Sequence, residues 1–95
     1  MMTKYFTSAI VRFDPLSQRK TARIFLARIP PTTRNLIKIR TEFLGKSSTD
    51  KPLISVTFRD GKTIDIDPSK ESIGDVIERL DRHSRALHLQ EQMNS

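Results

Sequence analysis

The chain is 95 residues long, carries a formal net charge of +6 at pH 7 and contains no cysteine. A chain of this length forms one domain with a modest hydrophobic core. The missing thiols exclude disulfides, cysteine nucleophiles, thiolate metal sites and dithiol redox chemistry. Every apolar run is shorter than the roughly 18–20 residues that a membrane-spanning helix requires, so no membrane partner is expected.

Residues 1–29 predict a strand followed by a helix. Both alternating sets of side chains in residues 4–13 are largely apolar, which is typical of an inner strand, and Pro15 ends this strand because proline cannot donate to a ladder. Residues 16–29 predict a helix with Ser17 as its N-cap. Its apolar stripe at i, i+3, i+4 and i+7 consists of Ala22, Phe25, Leu26 and Ile29.

Two adjacent prolines, Pro30 and Pro31, end this helix, and residues 35–43 predict a second strand. A strand, a helix and a strand in this order favour a right-handed unit in which the two strands are parallel. The second strand separates its side chains by face. One face carries Ile37, Ile39, Thr41 and Phe43, and the other carries Lys38, Arg40 and Glu42.

Residues 53–59 and 63–66 predict two further strands that form a hairpin. A three-residue loop, 59–61, with Gly61 in the left-handed region keeps the apolar side chains of both strands on one face. A two-residue loop would instead place aspartates opposite apolar residues, so we predict the longer loop. Its register pairs Val56 with Ile64 and Ile54 with Ile66.

The last part of the chain predicts a second helix. Ser72 and Asp75 have the spacing of a capping box, with aspartate in place of the usual glutamate. The helix should reach about residue 83, and residues 82–92 either continue it or restart it at Ser84. The apolar side chains of this tail form no clean stripe, which indicates docking on a partner. The stripe of the helix itself consists of Ile73, Val76, Ile77 and Leu80.

The predicted element order is β-α-β-β-β-α, which predicts an α/β thioredoxin-like fold. The helix that such folds carry between strands two and three is lost here or reduced to the loop GKSSTD, residues 45–50. A four-strand mixed sheet with helices packed on it is expected. The RNA-recognition motif competes, but it needs a strand after the last helix. We expect one domain over residues 1–92 and a frayed C-terminus over residues 93–95.

Few residues offer catalytic or metal chemistry. His83 and His88 are five residues apart, which places them on different faces of a helix, so they do not form a metal pair. Asp65 and Asp67 share one face of a strand, but the polar outer face of an edge hairpin explains them better than a general acid–base pair. We therefore expect no enzyme activity, no cofactor, no metal ion and no small-molecule substrate.

The positive charge is concentrated in the first half of the chain. Residues 1–40 carry nine lysines and arginines against one aspartate, whereas residues 61–81 carry three against six acidic residues. A basic half on a small domain is typical of a protein with a polyanion partner, and guanidinium groups match phosphate oxygens. Each single cation could instead be solvated, paired with the acidic segment or, in the tail, placed against the helix dipole. The candidate RNA-binding residues are Lys4, Arg12, Arg19, Lys20, Arg23, Arg28, Thr32, Thr33, Arg34, Lys38, Arg40, Arg82, His83 and Arg85.

Three stretches in order, TKYFTSAIVRFDP, TARIFLARIPPTTR and DRHSRALHLQEQ, resemble the family of the mitochondrion-specific large-subunit ribosomal protein numbered fifty-three, or forty-four in the older fungal numbering. The resemblance covers most of the chain and is weakest across residues 45–50. It implies a thioredoxin-like fold without redox activity, and no catalytic residues. It further implies residence in the mitochondrial matrix, and mitochondrial large-subunit rRNA and neighbouring large-subunit proteins as partners. Thioredoxin-like folds commonly carry a cis proline before the third strand, which makes Pro52 a candidate for a cis peptide bond.

Residues 1–13 contain no acidic side chain and carry Lys4 and Arg12, a composition that suits an import signal. Because the same residues predict the first strand, we expect an uncleaved signal. Two rival functions stay open. A free-standing nucleic-acid-binding module would bind RNA or DNA in isolation with a steep salt dependence. A structural subunit of another mitochondrial complex, such as respiratory complex I, would place the basic face against acidic protein or lipid. A small hydrolase is disfavoured because the chain lacks a site.

Overall fold

The computed structural model describes residues 1–14, 16, 20–45 and 51–94. These residues form a four-stranded sheet and three helices. In chain order the elements are β1 (Phe6–Phe13), α1 (Thr21–Arg28), α2 (Pro31–Arg34), β2 (Lys38–Phe43), β3 (Leu53–Phe58), β4 (Thr63–Ile66) and α3 (Ile73–Met93). No described helix is long and apolar enough to cross a membrane.

The sheet has the strand order β2-β1-β3-β4. β1 pairs with β2 in parallel, as predicted, and with β3 antiparallel, while β3 and β4 form an antiparallel hairpin. α1 and α3 contact each other over one face of the sheet. This topology fits the predicted thioredoxin-like α/β fold, with no helix among the described residues between β2 and β3.

The core lies between that sheet face and the two helices. Ala9, Val11, Ile54 and Val56 alternate with half-buried neighbours along the central strands and are almost completely buried themselves. Val11 pairs with Ile54, and Ile54 pairs with Ile66, so these three side chains form a continuous row across β1, β3 and β4. A register shift between residues 6 and 8 breaks the alternation of β1, and Tyr5 and Phe6 are consequently both buried.

The hairpin has the predicted register. Val56 pairs with Ile64 and Ile54 with Ile66. Gly61 adopts a φ of 88°, the left-handed conformation that the three-residue loop requires. The apolar pattern decided the register, because a slip by one residue would have turned Ile54 and Val56 away from the helices.

The first helix begins later than the sequence predicts. α1 starts at Thr21 rather than residue 16, and its N-cap is Lys20, which makes no capping hydrogen bond through its side chain. Ser17, the predicted N-cap, lies outside the described residues. Leu16 is 75% exposed. A helical turn before Thr21 would therefore bury little apolar surface, whereas the turns from Ala22 onward bury the predicted stripe.

The second strand also begins later than predicted, at Lys38 rather than residue 35. A one-turn helix that the sequence analysis missed, α2, occupies residues 31–34, with proline at its first position. Proline is well suited to that position because its φ is helical and its missing N–H would have no partner. The amides of Leu36 and Ile37 still donate to the Thr33 carbonyl, so the chain becomes extended only after them.

The last helix is continuous. Ser72 is its N-cap and accepts a 3.3 Å hydrogen bond from the Asp75 amide, as predicted. Of the two alternatives for residues 82–92, the structure shows continuation without a restart, and Ser84 is fully buried within the helix. The Met2 amide donates a 2.9 Å hydrogen bond to Asp81, so the N-terminal residues support the middle of α3. The peptide bond before Pro52, a candidate for the cis form, is trans, as are all described peptide bonds.

Candidate nucleic-acid interface

The exposed side of α1 carries three of the predicted cations. Ala22, Phe25 and Ile29 are buried in the core, and the cations lie at other positions around the helix. Lys20, at the N-cap, and Arg23 and Arg28, within the helix, are all exposed. No described acidic residue forms an ion pair with any of them. The charges of α1 are therefore available to a ligand.

α2 continues this cationic side of the molecule. The Arg34 guanidinium donates a hydrogen bond to the carbonyl of Leu26 in the last turn of α1. This contact holds α2 against α1 and uses one of the five N–H donors of the guanidinium. Thr32 is exposed, whereas the Thr33 hydroxyl lies 3.1 Å from that of Thr3. Thr33 thus has an internal role in fastening α2 to the N-terminal segment.

β2 carries its cations on the opposite face of the sheet from α1. Lys38 and Arg40 are exposed there, and Glu42 lies on the same face. From the neighbouring strand β1, the Nε of Arg12 donates a 2.9 Å hydrogen bond to one carboxylate oxygen of Glu42. The Nε of Arg40 lies 3.1 Å from the other oxygen of the same carboxylate. The hydrogen bond from Arg12 is the main reason why the pKa of Glu42 is lowered. Arg12 is therefore neutralised locally, whereas Lys38 has no acidic partner among the described residues.

The remaining candidates are matched by local acids. Lys4 lies 3.8 Å from Glu91, and Arg82 and Arg85 both lie within ion-pair distance of Glu78. Arg19 lies outside the described residues. Because these pairs are exposed, they are worth little to stability, but they lower the positive field that the tail presents.

His83 has a structural role. Its side chain is only 14% exposed, its Nε2 lies 3.0 Å from Asp60, and its ring meets the ring of Phe58 edge to face at 4.6 Å. The pKa of Asp60 is lowered chiefly by the backbone hydrogen bond from Lys62, with His83 adding to the effect. The imidazole joins the β3–β4 turn to α3 and presents little surface to RNA.

A polar cluster that the sequence did not predict binds the tail to the residue just before the first strand. The Tyr5 hydroxyl donates a 2.6 Å hydrogen bond to Glu91 and lies 3.0 Å from the Nδ1 of His88. An aromatic residue in the first predicted strand is more often a core residue than a platform for stacking bases, but nothing in the local pattern indicated the partners of Tyr5. These contacts hold α3 on its own domain at the point where the sequence suggested docking on a partner.

The two aspartates of the hairpin have separate roles. Asp65 is exposed, whereas Asp67 accepts hydrogen bonds from the amide and the hydroxyl of Ser69. Both bonds lower the pKa of Asp67, and the bond from the hydroxyl makes the larger contribution. Asp67 thus shapes the turn that leads to α3. The described residues contain no group of three His, Asp or Glu side chains that could hold a metal ion.

The fold and the cationic helices together define a small, basic α/β structural domain of thioredoxin-like topology that lacks the cysteines of a redox protein. Residues 13–61 match the family model described as 39S ribosomal protein L53/MRP-L53. The chain belongs to this family. Membership of a ribosomal protein family makes it a structural protein and not an enzyme, as the sequence predicts.

Curated relatives support this assignment over nearly the whole chain. The large ribosomal subunit protein mL53 of Saccharomyces cerevisiae is 43% identical over 91 residues, which cover 94% of this chain and 93% of the relative. The protein of the same name from Neurospora crassa is 41% identical over 96 residues, covering 99% and 98%. That from Schizosaccharomyces pombe is 30% identical over 89 residues, covering 90% and 89%.

Proposed function

We propose that the chain is a structural protein of the mitochondrial large ribosomal subunit and binds rRNA phosphates through α1 and α2. One observation carries the proposal. Lys20, Arg23 and Arg28 are exposed without an acidic partner among the described residues, while the apolar stripe of the same helix is buried. Family membership supports the ribosomal and mitochondrial placement.

The phosphate contacts on α1 and α2 position the domain and read no base sequence. Arginine and lysine neutralise phosphate charge and release condensed counterions, which gives a binding free energy that depends on salt. Arg34 adds a guanidinium whose orientation is set by its hydrogen bond to the end of α1. A fixed guanidinium loses less conformational entropy on binding a phosphate than a free one.

The acidic half of the domain faces away from the rRNA in this proposal. Two exposed apolar side chains one turn apart near the end of α3, Leu89 at 58% and Met93 at 77%, are suited to a neighbouring protein. The import signal would be uncleaved. The position of β1 supports this, because cleavage would remove a strand that pairs with both β2 and β3.

A charge-reversal experiment tests the phosphate surface. The chain with both Arg23→Glu and Arg28→Glu is expressed with an epitope tag, and its co-sedimentation with large subunits from a mitochondrial lysate is measured at low and high salt. Each lost phosphate contact weakens binding and reduces its salt slope by roughly one unit. We expect the fraction bound to fall by about tenfold or more. The matched control carries Lys62→Glu and Lys70→Glu, which reverse the charges of two exposed lysines in the acidic half.

Three outcomes contradict the proposal. Equal loss in both charge-reversed chains would mean that net charge, and not α1, determines binding. Loss of the unaltered chain from the subunit at high salt would favour a free-standing nucleic-acid-binding module. Sedimentation with a membrane complex would favour a structural subunit of another mitochondrial assembly.

A further inference from the structure

β2 is an edge strand with hydrogen-bonding groups on its outer side. Its inner side pairs with β1, and the Leu44 amide extends that ladder by donating to the Phe13 carbonyl at 2.9 Å. In a strand, the N–H and C=O of alternate residues point to opposite sides. The backbone groups of Ile39, Thr41 and Phe43 therefore point away from β1. No other described strand pairs with this outer side.

A groove runs beside this edge on the helix side of the sheet. It encloses about 400 Å³ and is lined by Leu26, Arg34, Ile37, Ile39 and Thr41. The groove exists because Ile39 is only partly covered by α1 and Thr41 is exposed. Three of its five lining residues are aliphatic, and Arg34 is its one charged lining residue.

Two large apolar side chains lie at the ends of this edge. Leu36, just before β2, is 84% exposed, and Phe43, at the end of β2, is 68% exposed although its ring contacts that of Phe13. Exposed apolar residues beside a free strand edge are a hazard for aggregation unless something covers them. Their position indicates that this edge is covered when the protein is in its assembly.

The opposite face of β2 is cationic. Glu42 is shared between Arg12 and Arg40, so Lys38 is left without an acidic partner among the described residues. A strand added beside β2 would place its side chains alternately over the groove, against Leu26, Ile37 and Ile39, and on the other face next to Lys38 and Arg40. Charge complementarity requires acidic side chains on the second face.

We propose that the outer edge of β2 accepts an extended segment of a neighbouring protein in which apolar and acidic residues alternate. The backbone of such a segment offers donors and acceptors in turn, which matches the alternating groups of Ile39, Thr41 and Phe43. Phosphate groups only accept hydrogen bonds and cannot satisfy outward carbonyls, so an RNA strand would have to use its ribose hydroxyls or bases there. The segment adds a fifth strand to the sheet, next to the cationic α1.

The other free edge, β4, does not have these features. It is only four residues long. The groove beside it is lined by Lys62, Arg79 and Arg82 together with Asp65, and Arg79 is held by Glu71 at 2.8 Å. Short length and charged flanks are the usual protection of an edge strand. β4 therefore provides a matched control.

Cross-linking tests the proposal, which rests on the ribosomal placement proposed above. Because the chain has no cysteine, Thr41→Cys creates a unique thiol in the β2 groove, and Thr63→Cys creates one on β4. Each variant is labelled with benzophenone maleimide, incorporated into large subunits and irradiated. We expect Thr41→Cys to yield a conjugate with one other protein that survives nuclease. The attachment should map to a segment with alternating apolar and acidic residues, and Thr63→Cys should not yield this conjugate.

The other outcomes overturn the proposal. A nuclease-sensitive conjugate would mean that RNA covers the edge, a conjugate of twice the chain mass would mean that a second copy covers it, and no conjugate would mean that it is free. These results leave the ribosomal function intact if the chain still sediments with the subunit. A labelled chain that does not sediment with it would count against both proposals.

A proline tests the backbone pairing directly. Thr41→Pro removes an outward N–H without taking a donor from the β1–β2 ladder, while Thr41→Val keeps the N–H. We expect incorporation of the proline variant to fall by about tenfold relative to the valine variant, and equal incorporation would overturn strand addition. Circular dichroism of both chains checks folding, and the cross-linking result decides the question if the proline variant does not fold.

Discussion

The hydroxyl of Tyr5 donates a 2.6 Å hydrogen bond to Oε2 of Glu91, a residue 86 positions later in the chain. This bond joins the residue just before β1 to the last turns of α3. It raises the pKa of Tyr5, and together with the charge of Lys4 it lowers the pKa of Glu91. The long last helix is thus held on the domain near its end as well as in its middle, where Asp81 accepts a hydrogen bond from the Met2 amide.

Removing this hydroxyl should loosen the end of α3. In Tyr5→Phe, the ring remains buried, but Glu91 and His88 lose their shared partner. We expect a melting temperature lower by a few degrees and faster amide hydrogen exchange over residues 86–93, with exchange in β3 unchanged. Thr7→Val, which removes a hydroxyl that donates to the Thr57 carbonyl, is the control for the loss of one hydrogen bond away from α3. Uniformly faster exchange across the chain would contradict a local role.

Stability should decline in acid. The pKa values of Glu42 and Glu91 are lowered from 4.5, and those of Asp60 and Asp67 from 3.8, by hydrogen bonds that each carboxylate accepts. A lowered folded pKa means that the unfolded chain binds protons more readily, so this stabilisation is complete above the unfolded pKa and is lost as the pH falls through the folded one.

We therefore expect the urea midpoint to be level between about pH 7 and pH 5 and to fall progressively toward about pH 3. Glu91→Gln, which cannot titrate, should show a smaller fall over the same range. Because the pKa of Tyr5 is raised, its effect on stability runs the opposite way with pH. Stability should be lost through Tyr5 only as the pH rises above 10.0. An identical acid response in Glu91→Gln would rule out Glu91 as a contributor.

Phe25 should be among the residues on which folding depends most. Its side chain is fully buried where α1 meets the sheet. Truncation of a buried phenylalanine to alanine costs about 3–5 kcal/mol, a large share of the roughly 5–15 kcal/mol that holds a small domain together. We expect Phe25→Ala to be largely unfolded at 37 °C by circular dichroism. Leu36→Ala, at an 84% exposed position, should leave the urea midpoint of the isolated protein unchanged.

Gly61 should resist substitution for a conformational reason alone. Its φ is 88°, yet a methyl group at its Cα would meet no atom within 4 Å. Gly61→Ala should therefore cost about 1–2 kcal/mol, the penalty of the left-handed region for an L-residue. Urea unfolding measures this loss. Gly45→Ala is the control, because Gly45 is equally unobstructed and its φ is not positive. Equal effects at the two positions would exclude the conformational explanation.

Local patterns predicted the elements well and their beginnings poorly. The alternation of Ile54 and Val56 against Ile64 and Ile66 determined the hairpin register, and the spacing from Ala22 to Ile29 determined the buried face of α1. The start of α1 was wrong because Ser17 is a good capping residue in principle, whereas the buried apolar side chains of the helix begin only at Ala22. α2 was missed because a single turn carries no periodicity.

The candidate interface was predictable in part. Charge counts indicated a basic half, and Lys20, Arg23 and Arg28 are indeed exposed without acidic partners among the described residues. Arg12, by contrast, is neutralised by Glu42 across the strand pair, and His83 is enclosed by Asp60 and Phe58. Sequence spacing could not reveal these contacts. Arg12 and Glu42 lie 30 positions apart, and His83 lies at least 23 positions from Asp60 and Phe58.

By itself, the sequence determined the absence of thiol chemistry, the order of the four strands and the two longer helices, the hairpin register and the excess of cations in the first half. These properties follow from composition and from the periods of helices and strands, which are local. The tertiary structure alone decided which cations stay unpaired, where Tyr5 meets Glu91 and which edge of the sheet remains open. Each of these depends on distances between residues far apart in the chain, and those distances exist only after the helices pack on the sheet.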